Sequence, residues 1–382
     1  MRKQFVFVFV FLISAHSFAQ DSALINDLMQ RIAIQQTSGN DFFTKGIFPS
    51  YISNQPHFSK RKKDNNIFFT ALIDYTLCNL YSKHLINSAP YSNIHTQASS
   101  AYLYFKNKKG RTTYNFWRTD SAYIFPYTWW IDKLKRNTAL PDDMDDTVLS
   151  LLAQNADSTT ALSVHKEMQQ YLNDDKKKAR AIHKSYRKYA AYSVWYGKHF
   201  PAVLDVCVLS NVLHFVQRYN LQWSAADSAS LQVIIQSINS GDYIKKPLSV
   251  SPYYGNTAII LYHIARLMNS KPIPQLEAMK VALIKAAVQQ FAHTKNPLEK
   301  AILCTAIMRW GYVPPSFALP NVSTIEHNNL PFFIGNIPSY FPLPIKQLFF
   351  RKGWGLFYHY CPAYNDALFV EYLALKQSLT AD

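Results

Sequence analysis

From residue 22 to the C-terminus, apolar residues recur at helical spacing, separated by short polar stretches. The pattern predicts helices over Ser22 to Gln36, Ile67 to Leu85, Asp145 to Asn155, Thr159 to Leu172 and Lys176 to Tyr192. It continues over Ala202 to Tyr219, Ala225 to Ser237, Asn256 to Met268, Pro274 to Ala292, Pro297 to Trp310 and Ala363 to Ser378. Loops such as Asn239-Ser240-Gly241-Asp242 and Lys295-Asn296-Pro297 carry residues that stop helices and turn the chain. Two stretches break the pattern. Tyr102 to Trp117 sets aromatic runs either side of Lys108-Lys109-Gly110, and Phe349 to Tyr360 closes a segment rich in proline; both predict β-hairpins. No linker of domain-boundary length appears. The expectation is one domain, residues 20–382, of stacked helical hairpins.

The first residues carry a different signal. Arg2 and Lys3 precede an apolar run, Phe5 to Ile13, too short to span a bilayer, and Ser17 and Ala19 are small residues at a cleavage position. A secretory signal over residues 1–19, removed after Ala19, is expected, which places the chain in the periplasm or outside the cell. Apolar residues make up 48% of the chain, enough for an extensive core, and only 10 glycines are present, which favours helices. The net charge of +16, or +14 without Arg2 and Lys3, suits a hydrophobic or anionic small-molecule ligand, or a peripheral anionic membrane surface. The basic residues form short clusters, Lys60 to Lys63 and Lys176 to Arg180, of the kind that solvated helix faces carry. With no recognised binding motif, nucleic acid is not an expected partner. Cys78, Cys207, Cys304 and Cys361 share no metal-ligand spacing and are read as buried free thiols.

Leu140 to Gln154, LPDDMDDTVLSLLAQ, is where chemistry is most concentrated. Asp142, Asp143, Asp145 and Asp146 fall within five positions, and Val148, Leu149, Leu151 and Leu152 then set a helical apolar face. The plain reading is an acid-rich first turn, in which one Asp caps backbone N–H groups and the others favour the helix dipole. The chemical reading is that crowded carboxyls cannot all ionise, so that one is held protonated by the rest. His214, on the helix bearing Asp205 and Asn211, is the candidate to orient such an acid.

Asp143 to Thr147, DMDDT, opening a helix in a chain of helical hairpins, resembles the DxDD(T) motif of class II terpenoid cyclases. The resemblance implies an all-α fold, an α/α toroid, here with small β-hairpin excursions. It also implies isoprenoid binding and cyclisation begun by protonation, without metal or other cofactor. Asp145 is then the acid and Asp143 and Asp146 its flanking orienters. Trp117, Trp129, Trp130, Asn211, Tyr253 and Tyr254 are available to line the substrate site, the aromatic ones as surfaces for a carbocation. The chain has length for one toroid where such cyclases use two, and the glutamine–tryptophan repeats of the hopene cyclases are absent.

Other constellations compete. Asp142, Asp143 and Asp146 also satisfy DDxxD, the magnesium–diphosphate motif of class I terpene synthases, but no second metal motif accompanies it. Asp205, Cys207 and His359 resemble the zinc ligands of protein prenyltransferase β subunits, at wider spacing. A secreted α/α-barrel glycan hydrolase or lyase would pair Asp145 or Asp146 with a distant carboxylate such as Asp205 or Glu371. A non-catalytic binding or scaffold protein on the same fold needs none of these roles.

Overall fold

A computed structural model describes residues 20–55, 61–120, 140–173, 182–197 and 200–381. The expected signal at 1–19, Lys60, the Lys176 to Arg180 cluster, Trp129 and Trp130 lie outside the described residues.

In chain order the main elements begin with α1 (residues 20–35), β1 (Ser50–Ser53), β2 (Lys62–Asp64), α2 (Phe68–Ser82) and α3 (Ser88–Ala101). There follow α4 (Met144–Ala153), α5 (Ser158–Met168), α6 (Val206–Arg218), α7 (Ala225–Asn239) and α8 (Thr257–Ser270). The series ends with α9 (Lys280–His293), α10 (Pro297–Arg309), β3 (Phe333–Asn336), α11 (Leu343–Lys352), β4 (Leu356–Tyr360) and α12 (Pro362–Ala381). The protein is mainly helical with one small antiparallel sheet, ordered β2-β1-β4-β3.

Two kinds of helix are distinguished by burial. In α8 every residue from Thr257 to Met268 is buried, and α4 is buried along its whole length. A helix apolar on all sides must be covered on all sides. In α3, by contrast, only Tyr91, Ile94, Ala98 and Ala101 are buried, and in α9 only Leu283, Ala286 and Ala287, a single stripe at helical spacing. The packing follows. Helix α2 packs on α4, α4 on α6, α6 on α8, α8 on α10 and α10 on α12, and α12 returns to α2. The striped helices sit outside this series: α3 covers α2, and α9 covers α8 and α10. Helix α7 packs on α6. Each of α4, α6, α8 and α10 is started by an Asp or Asn side chain (Asp143, Asp205, Asn256, Asn296) that accepts first-turn N–H groups.

The sheet meets the N-terminal ends of these helices. The Phe333 ring in β3 lies 4.8 Å from that of Phe68 at the start of α2, and Ile334 N–H donates to the Tyr253 carbonyl at 2.7 Å. One hydrophobic cluster extends from Ile25 to Ala374. Cys78, Cys207, Cys304 and Cys361 are free thiols, Cys78 half-buried and the others buried.

Several expectations change. The stretch Pro274 to Ala292 is interrupted after Glu277 and resumes at Lys280. The described end of the expected Lys176 to Tyr192 helix, residues 182–192, is turns and bends, and Leu172 forms a bridge with Tyr192. The first expected hairpin is reduced to one bridge, Lys106 with Tyr114, because Tyr114 also pairs with Asp143 and so joins the site below. The second does not form. Phe349 to Lys352 finish α11, Gly353 and Gly355 turn the chain at φ of 66° and 72°, and β4 pairs with the remote β1 and β3.

Candidate functional site

The acidic turn is buried, unlike a solvent-facing cap. Asp143 is the N-cap of α4, its Oδ1 accepting the Asp146 N–H at 2.7 Å, while Thr147 Oγ1 donates to its carbonyl at 2.7 Å. Bridges from Asp143 to Tyr114 and to Trp195 hold this turn between two loops. The four carboxyls then separate by role.

Asp142 is clamped: its Oδ2 accepts from Asn107 Nδ2 at 2.6 Å, Thr113 Oγ1 at 2.6 Å and Arg111 Nη2 at 3.0 Å. These three bonds tie it to the loop of residues 107–113. Asp145 accepts from Asn211 Nδ2 at 2.6 Å and from the Tyr254 hydroxyl. Burial raises its pKa, and these two donors together with the Arg266 charge oppose the rise. Asp146 is 0% exposed, and among the described residues neither carboxyl oxygen has a donor. Burial first, then the adjacent Asp143 carboxyl, pushes its pKa well above the usual carboxylate range. Asp143 is pushed up to about 7, again mainly by burial. Both shifts act in the direction that keeps a proton on the Asp143–Asp146 pair as pH rises.

Asp205 adds a further buried acid. As the N-cap of α6 it accepts from Cys207 N–H at 2.8 Å, Ser251 Oγ at 2.6 Å and Tyr253 N–H at 2.9 Å, yet burial still lifts it to about 7.

Between the acids and the aromatic side chains lies a void of about 10 Å³, lined by Asp143, Asp145, Asp146, Phe68, Trp195, Tyr253 and Phe333. That is room for one water at most. Tyr253 stacks on Phe333 at 6.0 Å, and its hydroxyl accepts from Trp195 Nε1 at 3.2 Å. Phe116 stacks on the other part of this floor, 5.2 Å from Phe333.

Of the residues expected at the site, Asp143, Asp145, Asp146, Asn211, Tyr253 and Tyr254 come together. Trp117 does not line the void; its Nε1 donates to Asp64 at 2.9 Å on β2. His214 is displaced as well. It lies nine residues beyond Asp205 in sequence, roughly 13 Å of helix rise. Its Nε2 meets the Tyr75 hydroxyl, and it lines a separate cavity at the C-terminal ends of the helices. The zinc constellation does not assemble either: His359 Nδ1 contacts Asp64 at 3.1 Å, and burial raises the Cys207 thiol well above its usual range. Among the described residues no group of three metal-ligating side chains is present. The DDxxD triplet is split, since Asp142 is clamped by Arg111 while Asp143 and Asp146 face the void.

Phe68, Trp195 and Phe333 line the void, and Phe116 stacks behind Phe333; spacing did not reveal them. Arg266, whose charge acts on Asp145 without lining the void, was also missed, although it had a visible signal, a lone cation inside the apolar run TAIILYHIARLM. Among the described residues no helix is long and apolar enough to cross a membrane. No family model, curated protein or solved structure matches the chain.

Proposed function

We propose that this chain is an exported single-domain α/α toroid whose helix N-termini form a proton-donating site for a hydrophobic ligand of the isoprenoid class. The closed sequence of contacts from α2 through α12 supports the toroid. The observation that carries the chemical reading is Asp146: a carboxyl wholly buried, without a donor among the described residues, beside an aromatic floor. Asp146 is the acid in this reading, in place of Asp145. Asp143 shares its proton, and Asp145, bound by Asn211 and Tyr254, is the fixed negative charge. Burial and the adjacent Asp143 carboxyl hold the proton on Asp146, and the Asp145 carboxylate then attracts the cation formed when the proton leaves. Tyr253, Trp195 and Phe333 supply the aromatic faces.

The small size of the void supports a second reading, a non-catalytic toroid with a filled centre. In the catalytic reading Phe333 and its strand move aside to admit ligand. The test is incubation with squalene and with linear prenyl diphosphates, comparing wild type, Asp146→Asn and Asp145→Asn by mass spectrometry. Cyclised product from wild type, and none from Asp146→Asn, is expected. Identical profiles, or no product from any of the three proteins, would overturn the cyclase reading in favour of the non-catalytic one.

A further inference from the structure

At the opposite ends of the same helices is a cavity of about 380 Å³ lined by Lys83, His214, Arg218, Arg266, Arg309 and Glu371, together with amide and hydroxyl groups. Its charges are unbalanced. Glu371 is already engaged, by Arg309 Nη2 and by the Tyr262 hydroxyl at 2.7 Å. Among the described residues no carboxylate lies within ion-pair distance of Lys83, Arg218 or Arg266. Arg266 is only 4% exposed, and its Nε has no acceptor among the described residues. Its other contacts are Asn211 Oδ1, which accepts from Nη2, and the Tyr75 and Tyr262 rings at 5.6 Å. A buried guanidinium with an unused donor is costly unless something accepts from it.

We propose that this cavity binds a compact phosphate-bearing anion. Buried Arg266, with Lys83 and Arg218 at the exposed mouth, offers several positive charges to an anion in a small volume, and guanidinium forks match phosphate oxygens. Asn79, Ser82, Asn269 and Ser270 line the cavity as well and offer neutral donors for the remaining oxygens. The volume falls within the range of small-ligand sites. His214 fits the same picture: burial holds it neutral, and the positive charges of Arg266, Arg309, Arg218 and Lys83 press in the same direction. This proposal is independent of the acid site.

Calorimetric titration of the whole protein with pyrophosphate, phosphate and citrate tests it. Saturable pyrophosphate binding at one site is expected, tighter than phosphate or citrate and at least tenfold weaker in the double variant Lys83→Gln/Arg218→Gln, whose changes lie at helix ends. The His214 imidazole resonance should shift on saturation. Absence of saturable binding, undiminished binding in the double variant, or an unmoved His214 resonance would each overturn the site. Citrate binding tighter than pyrophosphate would overturn the phosphate assignment.

Discussion

The two ends of the helix series differ in charge, in space and in how their polar groups are satisfied. At the N-terminal ends of α4 and α6 stand carboxyls around a void of about 10 Å³; at the C-terminal ends of α6, α8 and α10 stand guanidinium groups around about 380 Å³. Acids at helix starts and cations at helix ends are both the placements that the helix dipole favours. The dipole supplies at most about 2 kcal/mol even in partly buried geometries, and Asp146 and Arg266 are both buried, where an unsatisfied group costs more. Each is buried with part of its hydrogen-bonding capacity unused. Burial without satisfaction costs stability, and one such charged group stands at each end. At the acid end burial favours a retained proton; at the basic end positive charges outnumber the one carboxylate.

The largest expected effect breaks the basic end. Arg309 and Glu371 form an ion pair whose side chains are 7% and 4% exposed. Removing one member strands the other as a buried charge, so Arg309→Met is expected to cost about 3–5 kcal/mol in urea unfolding. Glu371→Gln should cost a similar amount, and the double variant clearly less than the sum of the two. A loss below about 1 kcal/mol would mean that solvent reaches these side chains, and the contrast between the two ends would weaken.

Legibility in the sequence follows the same division. Helices α2, α4, α6, α8, α10 and α12 were foreseen because long apolar runs with Asp, Asn or Pro at their starts are local signals. Helix α3, SAPYSNIHTQASSA, was not, since its four buried residues are diluted by serine and its partner α2 supplies most of the packing. The sheet was not legible because β1 and β4 pair across some 300 residues, a matter of tertiary position alone. The acid turn was legible as a motif, but the separate roles of its members were not. Arg111, Asn107 and Thr113 claim Asp142, and Tyr254 and Asn211 claim Asp145, all from distant segments. The basic cavity draws one residue or two from each of several helices, so no window of sequence contains it.

A smaller effect, of the opposite sign, is expected at the acidic end. An unfolded Asp titrates near about 3.9, whereas in the folded chain Asp143 is pushed up to about 7 and Asp146 is also raised well above that range, both mainly by burial. Below pH ~4 both states hold their protons, and this contribution to stability is fully present. As pH rises towards and through 7 the unfolded chain has released protons that the folded chain retains, so stability falls. Asp146→Asn removes part of that slope and is expected to stabilise the protein at pH 8, with little change at pH 4. Denaturant midpoints across this range measure it. A pH-independent difference between wild type and variant would show that the pair does not hold a proton.

The smallest expected effect asks whether the two ends are one network. Arg266 donates through Nη2 to Asn211 Oδ1, and Asn211 Nδ2 donates to Asp145 at 2.6 Å, so a single side chain bridges the open cavity and the closed void. Arg266 is also among the groups that oppose the rise in the Asp145 pKa. A double-mutant cycle of Asp145→Asn with Arg266→Gln is expected to give a coupling of about 1 kcal/mol at pH 7. Repeated in an Asn211→Leu background, the coupling should fall towards zero, because the leucine fills the same space without either hydrogen bond. If the coupling survived unchanged, it would be carried through space by charge alone; Asn211 would then be packing, and a ligand bound at one end would reach the other only through the field of Arg266.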